Sequence, residues 1–434
     1  MWHNRAIVMA HAPPVYAEPI PENPAHTPLI GRRAGRPHLA AALVAILLVA
    51  AALVVGDLAA HRIEGAYIHA LAPSEFDQKQ QGRALQAEAF REPDLLPLYG
   101  SSELIRETPY RATQFFREYP TGFTVFPVGG KGDTPLVYLQ ELAAVGADLR
   151  GQKLVISLLP SAIVFDTADR ADYYAGNFSR LHAGELAFST DLSFDLKRGA
   201  ARRMLDFPAT LQPDPLLRFA LDRLDDPAPL ARAEYWAVLP LGKLHNLILR
   251  VQDHWETLAS IRQQPNLDPR IPRRPARLDW SSLLVRAERE AQRQAGTHPA
   301  GFSRRLRRHP IGTWKVMANI RSGRAFLRDI ETATGWTDLE LVLRTLDELG
   351  ARPLILSPPL EGAFFDYWGV PLRPRQAYYD RLRETVGRHS ALLRDFADHD
   401  GDPHFVVDFR SHLSPEGWAY YDQALDAFYH GALP

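Results

Sequence analysis

Seventeen consecutive residues, Leu39 to Val55, are Leu, Ala, Val or Ile, and the first charge after them is Asp57. No feature limits the fold of this chain more. A surface helix carries one apolar stripe, whereas this run is apolar on every face. Its length lies near the lower end of the about 17–25 residues that cross a bilayer as a helix. Arg32, Arg33 and Arg36 precede it and Asp57 follows, so the positive-inside rule places the N-terminus in the cytoplasm. A cleaved signal is the rival reading, since Ala70-Leu71-Ala72 has a small-x-small pattern, but it sits well past the apolar run. The expectation is an uncleaved anchor over 38–57, a Pro-rich, disordered cytoplasmic tail over 1–37, and an extracytoplasmic remainder.

The part beyond the anchor is long enough for a large core: the whole chain has 434 residues. Its net charge of −1 gives no global field toward nucleic acid. With no cysteine, disulfides, thiol chemistry and thiolate metal sites are excluded. Residues 58–94 are polar and mostly helix-compatible, and read as a juxtamembrane stalk.

The domain proper, 95–434, alternates strands and helices. Leu95 to Leu98 is an apolar run ending on Gly100, followed by Ser101 and Ser102 and a polar segment of helical character. Phe123 to Val128 alternates like a strand and runs into Gly129-Gly130-Lys131-Gly132. Thr134 to Leu149 reads as a helix. Lys153 to Leu159 and Pro353 to Ser357 are nearly continuous apolar runs, the mark of strands covered on both faces. Asp338 to Gly350 is an amphipathic helix with a glycine C-cap, and Arg375 to Ser390 is another, with Tyr378 and Tyr379 as core. His404 to Asp408 reads as the last strand and Pro415 to His430 as the closing helix. The expected fold is α/β: a three-layer, mainly parallel sheet with its site at the carboxyl ends of the strands. A helical insertion is expected at about 180–330. Within it, Arg262 to Arg308 holds twelve arginines against four acidic residues, read as a solvated face. No P-loop, Rossmann glycine fingerprint or HExxH helix is present in the sequence.

A serine at a strand-to-helix turn presents its hydroxyl at the sheet edge, where free N–H groups favour developing negative charge. Taken alone, Ser101 and Ser102 are accounted for as a strand end and helix cap. The other end of the chain adds to them: Asp408 and His412 share one loop before the closing helix. Serine early, with Asp and His late and close together, resembles the SGNH (GDSL-type) hydrolases. Gly100-Ser101-Ser102-Glu103 is similar to their first block and maps the nucleophile to Ser102. The Gly-Ser-Ser-Glu form resembles most the DltD family, membrane-anchored proteins of lipoteichoic acid D-alanylation. Glu361 to Gly369 and Asp395 to Trp418 resemble that family's later segments, while the middle of the chain does not.

The resemblance implies a triad of Ser102, His412 and Asp408, with a glycine N–H of the Gly129-Gly130-Lys131-Gly132 loop directed at the oxyanion, Gly130 being the choice among its three glycines. The SGNH pattern has Asp three residues before His, but Asp408 is four before His412. Asp402 is therefore the reserve carboxylate. Asp398 to His404 could pass by composition for a metal cluster, yet its Gly and Pro mark a turn, so neither metal nor cofactor is expected. The implied function is an acyltransferase that carries an acyl group, such as D-alanyl, on Ser102 to a hydroxyl of an exported glycan or anionic polymer. Its implied partner is a multi-spanning MBOAT-type acyltransferase that delivers the donor. A periplasmic esterase of the same fold and a non-catalytic tethered scaffold are the two alternatives.

Overall fold

The computed structural model describes residues 36–72, 82–105, 108–164, 170–264, 275–295, 322–408 and 410–433. Residues 1–35 of the expected tail, and about half of the arginine-rich stretch (265–274 and 296–308), lie outside these. The chain divides into two units, Met1–Val54 and Val55–Pro434. In the first, helix α1 (Arg36–Leu71) begins, with Leu43, Ile46, Leu47 and Leu48 among its exposed apolar side chains. By length and composition His38–Leu71 is able to cross a membrane, and it fits a single-pass anchor.

In the second unit, five parallel strands form one sheet in the order β2-β1-β3-β4-β5. They are β1 (Leu95–Gly100), β2 (Thr124–Gly129), β3 (Lys153–Ser157), β4 (Arg352–Leu356) and β5 (Leu392–Arg394). Their side chains alternate between two cores, as period-two geometry requires. Leu95, Tyr99, Phe126, Val128, Leu154, Ile156 and Ile355 face one, while Leu96, Leu98, Val125, Val155, Leu354 and Leu356 face the other. Helices α2 (Arg83–Arg91), α3 (Ala112–Glu118) and α4 (Pro135–Val145) flank the first strands. The β3-to-β4 crossover carries α5 (Pro160–Val164), α6 (Arg170–Asn177), α7 (Arg180–Ala187), α8 (Phe194–Leu205), α9 (Pro208–Leu211), α10 (Pro215–Asp225), α11 (Pro229–Gln263), α12 (Trp280–Ala295), α13 (Gly323–Thr332) and α14 (Gly335–Leu349). Gly350 caps α14 in the left-handed conformation, φ 70°. Then come α15 (Gly362–Tyr367), α16 (Leu372–Gly387) and the closing α17 (Pro415–Tyr429).

Two expectations are corrected. The described parts of the expected stalk, 58–72 and 82–94, are not free of the domain. Ala60, Glu64, Ile68 and Leu71 of α1 are buried, and so are Ala84 to Phe90 of α2. The polar residues that suggested exposure have partners distant in sequence: Tyr99 donates its hydroxyl proton to Gln86 Oε1 at 2.9 Å, and Glu64 Oε1 lies 2.7 Å from His254 Nδ1. The last strand is β5, not 404–408. That segment folds back on itself through a single antiparallel bridge, Val406 to Leu413, and its Phe405 and Val406 pack under α17 instead of joining the sheet.

Candidate active site

Order 2-1-3-4-5 reverses direction beside β1, and a parallel sheet opens its crevice at such a switch point, outside the carboxyl ends of the strands. Ser102 stands there, two residues past β1. A short 3-10 turn, Ser102–Leu104, takes the place of the expected α-helix. The turn is fixed from within: Glu103, 1% exposed, folds back so that its Oε1 accepts the Ser101 N–H at 3.0 Å. Burial pushes the Glu103 carboxyl up, opposed by that N–H and by the Ser157 hydroxyl. Glu103 belongs to the Gly-Ser-Ser-Glu block of the sequence, but sequence reading missed its role in holding the turn; the signal was a charged residue inside an otherwise apolar and hydroxyl-bearing block.

The hairpin-like segment Phe405–Ser414 brings the other two groups. The Val407 N–H donates to the His412 carbonyl at 2.8 Å, and the Ser411 N–H to the Asp408 carbonyl at 2.9 Å. Ser411 takes a left-handed conformation, φ 61°, which closes the turn between Asp408 and His412. Asp408 Oδ1 accepts the Arg410 and His412 N–H groups at 3.0 and 3.4 Å, an Asx-type turn. Its other oxygen is left for the imidazole. Beyond the turn, Ser414 caps α17 by accepting the Gly417 N–H, and Pro415 occupies the first turn.

Three of the four expected site residues meet here. The Ser102 hydroxyl lies 2.7 Å from His412 Nε2, and His412 Nδ1 lies 2.7 Å from Asp408 Oδ2. With Nδ1–H donated to the carboxylate, Nε2 carries the lone pair that accepts the Ser102 proton. Burial raises the Asp408 carboxyl, but the His412 ring and the two backbone N–H groups outweigh it and hold the group below its ordinary value. It therefore stays ionised to orient the imidazole. The four-residue spacing is absorbed by the turn.

Ser101 has a different place. It is buried, and its Oγ accepts the Gly132 N–H at 3.1 Å. Gly132 has φ 84°, and the Tyr173 ring of α6 lies where a Cβ would be, so only glycine fits. The fourth residue, Gly130, lies one position past β2, and its carbonyl accepts the Asp133 N–H at 3.0 Å. The glycine loop is thus tied to the serine pair through Gly132. The reserve carboxylate Asp402 has other partners, His399 Nδ1 at 3.5 Å, the His404 N–H at 2.8 Å and the Glu416 carboxyl, while His412 Nδ1 takes Asp408.

His399, Asp402 and Glu416 gather beside the catalytic loop. Glu416 is 6% exposed. Burial, then the adjacent Asp402 charge, push its carboxyl up to about 8. A folded state that holds this proton loses stability as pH rises from the unfolded value of about 4.3 toward 8, because there the unfolded chain binds fewer protons. Glu416→Gln is expected to flatten that part of the curve and raise the melting temperature at pH 8. Thermal unfolding at pH 5 and pH 8 checks it; an unchanged slope would show that Glu416 is already ionised in the fold.

Known proteins resemble this chain in sequence. The model of the family described as "DltD protein" matches residues 72–430. Protein DltD of Bacillus subtilis (strain 168) is 28% identical over 364 residues, 83% of this chain and 88% of that one. Protein DltD of Staphylococcus aureus (strain NCTC 8325 / PS 47) is 23% identical over 352 residues, 80% and 84% of the two chains. Protein DltD of Lacticaseibacillus rhamnosus is 25% identical over 400 residues, 89% of each.

Proposed function

Because the chain belongs to the DltD protein family, we propose that it is a membrane-anchored acyltransferase that D-alanylates a cell-envelope polymer outside the plasma membrane. The observation that carries this reading is the unbroken pair of 2.7 Å contacts from Ser102 through His412 to Asp408. In the first half-reaction the Ser102 oxygen attacks the acyl carbonyl while His412 Nε2 takes its proton. The tetrahedral intermediate expels the donor's leaving group, which receives that proton, and leaves an acyl-serine. In the second, an acceptor hydroxyl gives its proton to His412 and attacks the ester, and the proton returns to Ser102. The Gly130 N–H is the proposed oxyanion donor, in a loop tied to Ser101 through Gly132; it donates to the Asp133 carboxyl in this structure, so the role requires that bond to give way to the oxyanion. A multi-spanning MBOAT-type acyltransferase is the proposed source of the donor group, and a glycan or anionic polymer hydroxyl the acceptor. Three arginines before the apolar run and an aspartate after it support a cytoplasmic N-terminus.

One experiment tests both chemistry and orientation. A charged, membrane-impermeant fluorophosphonate applied to intact spheroplasts is expected to modify Ser102, located by peptide mass analysis. Labelling only after lysis would reverse the orientation. An adduct on Ser101, or none in either preparation, would remove the acyl-serine and favour a tethered scaffold.

A further inference from the structure

Helix α11 is buried along one face and apolar along the opposite, exposed one. Its inner face is fully used: Tyr235 donates its hydroxyl proton to the Ala187 carbonyl at 2.8 Å, Gly242 meets the Phe188 ring, and Asn246 and Leu249 are buried. On the outer face Leu241, Leu244, Ile248, Val251 and Trp255 recur at alternating three- and four-residue intervals, the spacing of one helical stripe. All five are exposed, Trp255 to 75%. The stripe runs about 21 Å at 1.5 Å per residue. Exposed polar residues, Lys243 on one side and Gln252 and Glu256 on the other, border it.

The C-terminal end of the stripe lies beside α1. His254 adjoins Trp255, and its Nε2 lies 3.3 Å from Asp57 Oδ1. Asp57 is the first charged residue after the apolar run, two positions past Val55. A residue that closes a membrane span sits at headgroup depth, and tryptophan is the side chain most favoured there. We propose that the outer face of α11 lies in the bilayer interface as a second membrane contact, its apolar stripe turned to the acyl chains as in other interfacial helices. This rests on the anchor reading. It goes beyond it by fixing how the domain is held: two contacts, unlike one, restrict its rotation against the membrane.

The chain has no cysteine, so single introduced thiols report one position each. Full-length Ile248→Cys and Trp255→Cys, labelled with an NBD fluorophore, are reconstituted alone in phosphatidylcholine vesicles with and without doxyl-labelled lipid. Glu384→Cys, on the exposed side of α16, is the control. The lipid quencher is expected to lower emission about twofold at 248 and 255 and to leave 384 unchanged. Emission at 248 and 255 that only an aqueous quencher lowers would overturn the proposal. So would protection from both quenchers, which would mean that a segment of this chain or a second copy covers the face. Protection appearing only in native membranes would assign the face to a protein partner instead. If the chain fails to float with the vesicles at all, the anchor reading fails; if it floats while the labels stay wet, only this inference does.

Discussion

Ser102→Ala is expected to lower acyl transfer by about 10⁴–10⁶-fold, the loss seen when the nucleophile of a serine triad is removed. The geometry makes this a loss of chemistry and not of structure: the substitution removes one hydroxyl at the sheet edge and opens no large cavity. His412→Ala should cost about as much, and the double variant no more than either alone, since nucleophile and base act as one unit. Asp408→Asn should lose about 10⁴-fold, because an amide at that position favours the wrong imidazole tautomer. Ser101→Ala should keep much of the activity, losing one buried hydrogen bond to Gly132, about 1 kcal/mol. Acyl incorporation into the envelope polymer, with membrane levels of each variant measured alongside, gives the answer. Normal acylation in cells carrying only Ser102→Ala would exclude the acyl-serine.

The central strands were legible because burial on both faces leaves an uninterrupted apolar run, as in Leu154 to Ile156 and Leu354 to Leu356. β5 was not legible: three residues at a sheet edge, none fully buried, carry no periodic signal. The segment Phe405-Val406-Val407 imitated a strand because it is apolar and its Phe405 and Val406 are buried, but under α17. Position in the sheet depends on where the backbone pairs, and here the pairing partner of Val406 is Leu413, seven residues on. Ser102 and His412 were recognisable by type and order. The carboxylate could not be decided from sequence, since the answer depends on one backbone conformation, the positive φ of Ser411, that closes the turn to Asp408. The misread stalk has a similar cause. Glu64 and Gln86 look like surface residues until their partners arrive from His254 and Tyr99.

The loop that carries Asp408 and His412 leaves the fold at Asp400, and the second large effect is expected there. Arg375, 3% exposed, donates from Nη2 and Nε to Asp400 Oδ1 at 2.7 and 3.0 Å, and from Nη1 to Asp366 Oδ1 and the Val370 carbonyl, both at 2.6 Å. Tyr379 donates its hydroxyl proton to Asp400 Oδ2 at 2.8 Å, and the Gly362 N–H binds the Asp400 carbonyl at 2.9 Å. Burial lowers the Arg375 guanidinium, yet the Asp400 and Asp366 carboxylates outweigh it and raise it above its ordinary value. Arg375→Met would leave the Asp400 carboxylate buried without its counter-charge, which costs about 3–5 kcal/mol. The surface pair Arg388–Glu340 is the contrast: its side chains are 51% and 34% exposed, and Arg388→Met should cost less than about 1 kcal/mol. Adding Asp400→Leu to Arg375→Met should recover part of the loss, since an apolar pair carries no desolvation penalty. Denaturant unfolding of the full chain in detergent measures all three. A cost for Arg375→Met no larger than that for Arg388→Met would mean that Asp400 is neutral or hydrated in the fold. If the ion pair does anchor the loop, fluorophosphonate labelling of Ser102 should fall in Arg375→Met at temperatures where the sheet is still folded, because the imidazole loses its fixed position before the core melts.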